Sequence, residues 1–155
     1  MPSRRELIRM SPEEVDAYLA GRHSMTVASI GKDGRPHLVA MWYGFFADGS
    51  PGFWTFEKSQ KVVNLRRDPR VTCLVESGER YEELRGVQLV GRAEVLDDEA
   101  SLRELGRSVV PRYFEVSNDG DLEAIIVTTM RKRVAVKIDV AEVVSWDHTK
   151  LGGRY

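Results

Sequence analysis

MTVASIGKDGRPHLVAMWYGFFADGSPGFWTF, residues 25–56, alternates apolar runs with turn-forming clusters on a short period. Met25–Ile30 reads as a strand, and Gly31-Lys32-Asp33-Gly34 supplies residues that tolerate the backbone of a tight turn. Pro36 to Phe46 reads as one long strand returning beside the first. Asp48-Gly49-Ser50-Pro51-Gly52 then forms a second turn cluster, and Phe53-Trp54-Thr55-Phe56 is an aromatic strand of the kind favoured on a pleated, half-buried surface. Three sequential strands joined by tight turns make an antiparallel meander the simplest topology.

Upstream, Ser11-Pro12-Glu13-Glu14 combines an N-cap residue, a proline at the first helical position and a glutamate at the capping-box position. Val15, Tyr18 and Leu19 follow at helical spacing, so a short helix ending at Gly21 is predicted. Downstream, Val62, Val63 and Leu65 sit among Lys61, Arg66 and Arg67, which predicts a short helix from Ser59 to Arg67 closed by Asp68-Pro69. Val71–Val75 is strand-like. From Val87 to Leu96, the residues Val87, Leu89, Gly91, Ala93 and Val95 alternate with Gln88, Val90, Arg92 and Glu94, as in a half-buried strand. Asp97-Asp98-Glu99 loads negative charge into the start of a helix carrying Leu102, Leu105 and Val109, which Pro111 is expected to kink or end. A further helical stretch over roughly Leu122–Met130 leads into strand segments Arg133–Ile138 and Val143–Trp146, before a polar tail from Asp147 to Tyr155.

About six strands with short helices between them, and no regular alternation of strand and helix, predict a mainly β, antiparallel barrel. Side chains fill so small a barrel, which leaves its outside and a subunit interface as places for a ligand. With 155 residues and no linker, repeat or low-complexity tract, the chain reads as one domain over residues 1–155. The balance of 23 basic against 24 acidic residues, net charge -1, argues against a dedicated nucleic-acid binder. Cys73 is the only cysteine, so no intrachain disulfide forms, and the three histidines lack zinc-site spacing. With neither a signal-peptide core nor a membrane span of ~18 apolar residues, a cytoplasmic location is expected.

Signatures of hydrolases, phosphate-loop enzymes, dinucleotide-binding folds and zinc proteases do not occur. Cys73 lies mid-strand, where a thiol acts as a small hydrophobe. Trp54–Lys61 carries the sharpest signal. An aromatic strand ends in a hydroxyl and two ammonium groups where a helix begins, and helix N-termini favour anions. Ser59 and Lys61 could complete a phosphate site; equally, Ser59 could cap the helix while Lys58 and Lys61 remain solvated.

These residues resemble the pyridoxamine 5′-phosphate oxidase-like superfamily, and within it the branch of flavin- and deazaflavin-dependent oxidoreductases. Four segments carry the resemblance: Gly31–His37, Trp54–Val71, Tyr81–Val95 and the closing Ser145–Leu151. It implies a split β-barrel of the FMN-binding-protein type, forming a homodimer with two cofactor sites at the interface. It further implies that Val39, Ala40, Met41 and Trp42 offer backbone contacts to the cofactor ring, and that Trp54 and Thr55 flank the ring and its chain. Ser59 and Lys61 would hold the phosphate, with Asn64 as a weaker candidate, and Trp146 and His148 would close the pocket. Gln60 and Gly86 depart from the arginine and glutamine of the oxidase pattern. That departure shifts the expectation from FMN toward the deazaflavin coenzyme F-420, whose acidic tail would suit Lys58, Arg66 and Arg67.

The function expected is hydride transfer from reduced F-420 to an electron-poor double bond of a small molecule. The alternatives are an FMN-dependent oxidase or reductase, and a non-catalytic carrier or sensor of flavin, deazaflavin or haem. No catalytic side chain is assigned, because the cofactor carries the chemistry; His148 is a candidate proton donor.

Overall fold

The structure, a computed structural model, describes residues 1 and 3–153; the last two residues of the polar tail lie outside the described residues. Helix α1 (Arg4–Leu7), which the sequence reading did not foresee, precedes α2 (Pro12–Gly21). The Ser11 capping box forms as predicted, with Ser11 and Glu14 exchanging backbone-to-side-chain hydrogen bonds. Strands β1 (Met25–Ile30), β2 (Pro36–Met41), β3 (Gly44–Phe45) and β4 (Pro51–Phe56) follow. Then come α3 (Gln60–Arg67), β5 (Arg70–Ser77), β6 (Arg85–Leu96), α4 (Glu99–Tyr113), α5 (Asp119–Thr129) and β7 (Arg133–Asp147).

All pairings are antiparallel in one seven-stranded sheet of order β2-β1-β5-β6-β7-β4-β3. The sheet curls into a split barrel whose edges are β2 and β3. This corrects the simple meander, because the predicted long strand Pro36–Phe46 breaks at Tyr43. The backbone of Tyr43 is claimed by α4: its N–H donates to the Tyr113 hydroxyl at 2.9 Å, and its carbonyl accepts from Arg112 Nε at 3.0 Å. Its side chain is fully buried and its hydroxyl donates to the Leu19 carbonyl. The chain therefore leaves β1 after Met41, and Gly44–Phe45 pairs with β4 at the opposite edge of the sheet.

Two further differences have local causes. The segments predicted as Arg133–Ile138 and Val143–Trp146 form one strand, because β6 pairs along it from Arg85 to Leu96, with an irregularity at Val90/Gly91 absorbing the mismatch. Pro111 lies inside α4 without ending it; the Val110 carbonyl accepts the Phe114 N–H, and the helix runs to Tyr113.

Strand alternation divides the core. Phe53, Val134 and Val136 face the barrel interior with Val27, Val62, Leu65, Cys73, Val87 and Leu89. Trp54 and Ala135 face outward into a second cluster with Leu102, Leu105, Val109 and Ile126 of α4 and α5. Burial of each valine, leucine, isoleucine or phenylalanine among them stabilises the fold by about 1.5–3 kcal/mol. Gly106 is needed here, since a Cβ at that position would lie 2.5 Å from the Trp54 ring.

Candidate functional site

Among the described residues, the edge strand β2 pairs only with β1, so the backbone groups on its other side are open to a ligand or another chain. Its side chains alternate: His37, Val39 and Met41 turn inward, while Leu38 and Ala40 face out. Beyond its end, Trp42 stacks on Tyr113 with ring centroids 4.4 Å apart and planes 5° apart, and Phe114 meets Trp42 edge-on. Tyr113 is itself pinned, its hydroxyl lying 2.9 Å and 3.0 Å from the carbonyl oxygens of His23 and Tyr43, with its one proton donated to either. These contacts fix an aromatic ledge at one end of the free edge.

Two cavities flank β2. The first, about 300 Å³, is lined by Ala40, Met41, Trp42, Trp54, Phe114 and Arg133 among others. The second, about 600 Å³ and wide open, lies at the other end of β2, with Lys32, Arg35, His37, Gln60 and Asn64 on its walls. His37 Nδ1 is buried without a hydrogen-bond partner.

The β4–α3 junction carries the polar residues. Thr55 is buried inside the barrel; its hydroxyl accepts a 2.9 Å hydrogen bond from Lys61 Nζ and lies 3.3 Å from the Ser59 hydroxyl. Ser59 occupies the N-cap position of α3, yet its side chain makes no capping bond, so the simple capping role is not realised. Lys61 has no carboxylate partner among the described residues, and burial lowers its pKa from the usual lysine value. Two hydroxyls, a desolvated ammonium and uncapped helix N–H groups thus converge, an arrangement that accepts a phosphate or another oxyanion.

The predicted residues are distributed unevenly around this centre. The first cavity gathers Ala40, Met41, Trp42 and Trp54, with Val39 one residue further along β2. Thr55, Ser59 and Lys61 form the polar cluster. Trp54 presents only an edge, since its ring is buried beneath α4 and its Nε1 donates to the Leu102 carbonyl at 3.1 Å. Lys58 is exposed beside the junction. Asn64 is fully buried and its amide is spent within the fold, donating to Ser29 and accepting from Gln60 and Arg67. Trp146 and His148 do not join the group within this chain. Trp54 pairs with Ala135, whereas Trp146 lies eleven residues further along β7, about 35 Å of strand.

The closing motif has a structural account instead. The Trp146 ring covers Gly86, where a Cβ would come within 2.2 Å of it. Ser145, Asp147 and Lys150 bond to Met10, Ile8 and Glu14, tying the C-terminal turn to the N-terminal segment. His148 packs against the Tyr81 ring, its Nδ1 2.8 Å from the Tyr81 carbonyl oxygen.

Arg133 was not among the expected site residues. In sequence it closes the run Arg131-Lys132-Arg133, which reads as a phosphate-binding or solvated face, and the β4–β7 register sets it opposite Phe56, with the guanidinium 4.3 Å from that ring's centroid. Its Nε is buried and unpaired.

A family model described as pyridoxamine 5′-phosphate oxidase matches residues 11–147. No match was found among curated proteins. Among solved structures, the conserved hypothetical protein Rv2991 from Mycobacterium tuberculosis is 42% identical, with a TM-score of 0.91, covering 99% of this chain and 95% of that one. An FAD-binding protein from Mesorhizobium loti shares the fold at 18% identity and a TM-score of 0.63, covering 88% and 92% of the two chains. A protein named as an F420 reductase does so at 18% identity and a TM-score of 0.56, covering 92% and 98%. Matched from α2 to the end of β7 by one family model, and carrying that family's split-barrel fold, the chain belongs to the pyridoxamine 5′-phosphate oxidase family.

Proposed function

We propose that the chain is a deazaflavin-dependent oxidoreductase, using coenzyme F-420 to reduce an electron-poor double bond in a small planar molecule, and that it works as a homodimer. The observation that carries the cofactor reading is Lys61, a partly buried ammonium with only the Thr55 hydroxyl for a partner among the described residues, beside an uncapped helix start. An isolated desolvated charge is unfavourable unless something pairs with it. A phosphate-bearing cofactor fits this cluster: Ser59, Thr55 and Lys61 would hold the phosphate, and the free backbone edge of β2 would meet the ring. When bound, such a cofactor supplies the hydride. The protein's part is to fix orientation and to exclude water beneath Trp42 and Phe114.

Two observations favour a deazaflavin. The space that a glutamine would need at Gly86 is taken by the Trp146 ring. Lys58, Lys32 and Arg35 are exposed near α3 and the second cavity, where an acidic tail would find them. The name of the F420 reductase neighbour is in line with this reading. The FAD-binding neighbour keeps an FMN- or FAD-dependent oxidoreductase as the second reading. Dimerisation is supported by the apolar side chains exposed around the site, with Leu38 63%, Trp42 54% and Phe56 54% accessible, a rim suited to a subunit interface.

Titration of the purified apoprotein with F-420 and, separately, with FMN, followed by fluorescence at low ionic strength, tests the proposal. Selective micromolar binding of F-420 is expected. Selective FMN binding would move the protein to the second reading, and binding of neither would refute both.

A further inference from the structure

Arg133 is the least satisfied charge in the site. It has no carboxylate partner among the described residues, and its Nε is buried without an acceptor. Burial pulls its pKa below the usual guanidinium range. Its one evident support is the Phe56 ring, 4.3 Å from the guanidinium carbon. Stacking of that kind occupies the face of the guanidinium and leaves its in-plane N–H groups available. Arg133 belongs to the lining of a cavity of about 300 Å³ whose other walls are mostly apolar and aromatic: Met41, Trp42, Trp54, Val109 and Phe114.

A cavity of this volume lies at the small end of ligand sites and suits one or two fused rings. Flat walls favour a flat ligand, and a single unpaired guanidinium favours a planar oxyanion that it can grip with two parallel hydrogen bonds. A phosphate is better served elsewhere, by Lys61 with Ser59 and Thr55. We infer that the Arg133 cavity binds the acceptor substrate, and that this substrate is a planar conjugated carboxylate whose carboxylate pairs with the Arg133 guanidinium. This assignment rests on the proposed oxidoreductase reading and deepens it. Arg133 is thereby a substrate-anchoring and specificity-determining residue, while Met41, Trp42 and Trp54 of the same cavity also flank the proposed ring site, so that substrate and ring would lie side by side there.

The test uses 2-naphthoate and its neutral counterpart 2-naphthamide as probes, with binding to the apoprotein followed by quenching of tryptophan fluorescence and by calorimetry. Wild-type protein is expected to bind naphthoate more tightly than naphthamide. Arg133→Gln should weaken naphthoate by about ten-fold or more, as loss of a charge-assisted pair does. It should leave naphthamide and cofactor affinity unchanged, and Arg133→Lys should recover part of the loss. Equal binding of naphthoate by wild type and Arg133→Gln, or equal loss of both probes in Arg133→Gln and Arg133→Lys, would overturn the assignment. So would a loss confined to cofactor affinity, which would put the guanidinium on the cofactor. Arg133-dependent naphthoate binding in a protein that takes up neither F-420 nor FMN would uphold the anion site while refuting the parent reading.

Discussion

Replacing Lys61 by methionine keeps most of the side chain's apolar length and removes only the charge and its hydrogen bonds. Lys61 Nζ donates to Thr55 Oγ1 at 2.9 Å and pairs with no carboxylate among the described residues, so an incoming phosphate would supply a full counter-charge. A hydrogen bond to a charged group contributes about 1.5–3 kcal/mol, and each ~1.4 kcal/mol is a factor of ten. Lys61→Met should therefore weaken a phosphate-bearing cofactor by about ten- to one-hundred-fold. The same variant should not destabilise the apoprotein, because burial disfavours the charged lysine. The pH dependence follows in sign. The folded-state pKa lies below 10.5, so between those values the unfolded chain holds more protons and apoprotein stability rises with pH. Cofactor affinity runs the other way, falling as the free protein's Lys61 loses its proton. Fluorescence titration of wild type and Lys61→Met, near neutrality and again toward pH 10.5, measures the affinities, and thermal unfolding of the apoproteins measures stability. Affinity unchanged within two-fold, or a marked loss of apoprotein stability, would refute the assignment of Lys61 to a phosphate.

Burial pushes the Cys73 thiol up to about 12, so it should resist iodoacetamide at mildly alkaline pH in the native protein and react only on unfolding; rapid native-state labelling would contradict this. Gly86→Gln should destabilise the fold by about 1–3 kcal/mol through collision with the Trp146 ring, and the loss should shrink in a Trp146→Ala background; urea unfolding of the four proteins reads out the coupling. Lys137 holds the Asp48 carboxyl down to about 2, so the pair contributes stability above pH 3.8 that is lost as pH falls through about 2; Asp48→Asn should flatten that part of the acid-unfolding curve.

The parts of the fold that were legible are those whose physics is local. Ser11-Pro12-Glu13-Glu14 specifies its cap within one turn of chain, and the alternation from Val87 to Leu96 states which face of β6 is buried. The break at Tyr43 is not local. Residues 36–46 read as one strand until Arg112 and Tyr113, distant in sequence, claim the Tyr43 backbone and redirect the chain to the far edge of the sheet. That redirection leaves the far side of β2 unpaired, so the sequence-distant pair Arg112–Tyr113 creates the site's open edge and, through Tyr113, orients Trp42 upon it.

The site divides along the same line. Thr55, Ser59 and Lys61 lie within one strand-to-helix junction, so their convergence follows from spacing and was legible in the sequence. Arg133 reaches the wall of the first cavity only through the β4–β7 register, which sets it opposite Phe56 although its sequence neighbours Arg131 and Lys132 are exposed. The Trp146–His148 segment shows the reverse case: its motif is conspicuous in sequence, but pairing with β6 spends it on covering Gly86 and anchoring the N-terminal segment. A sequence motif marks residues under constraint, and only strand register distinguishes a constraint of packing, as at Trp146, from an unpaired charge facing a cavity, as at Arg133.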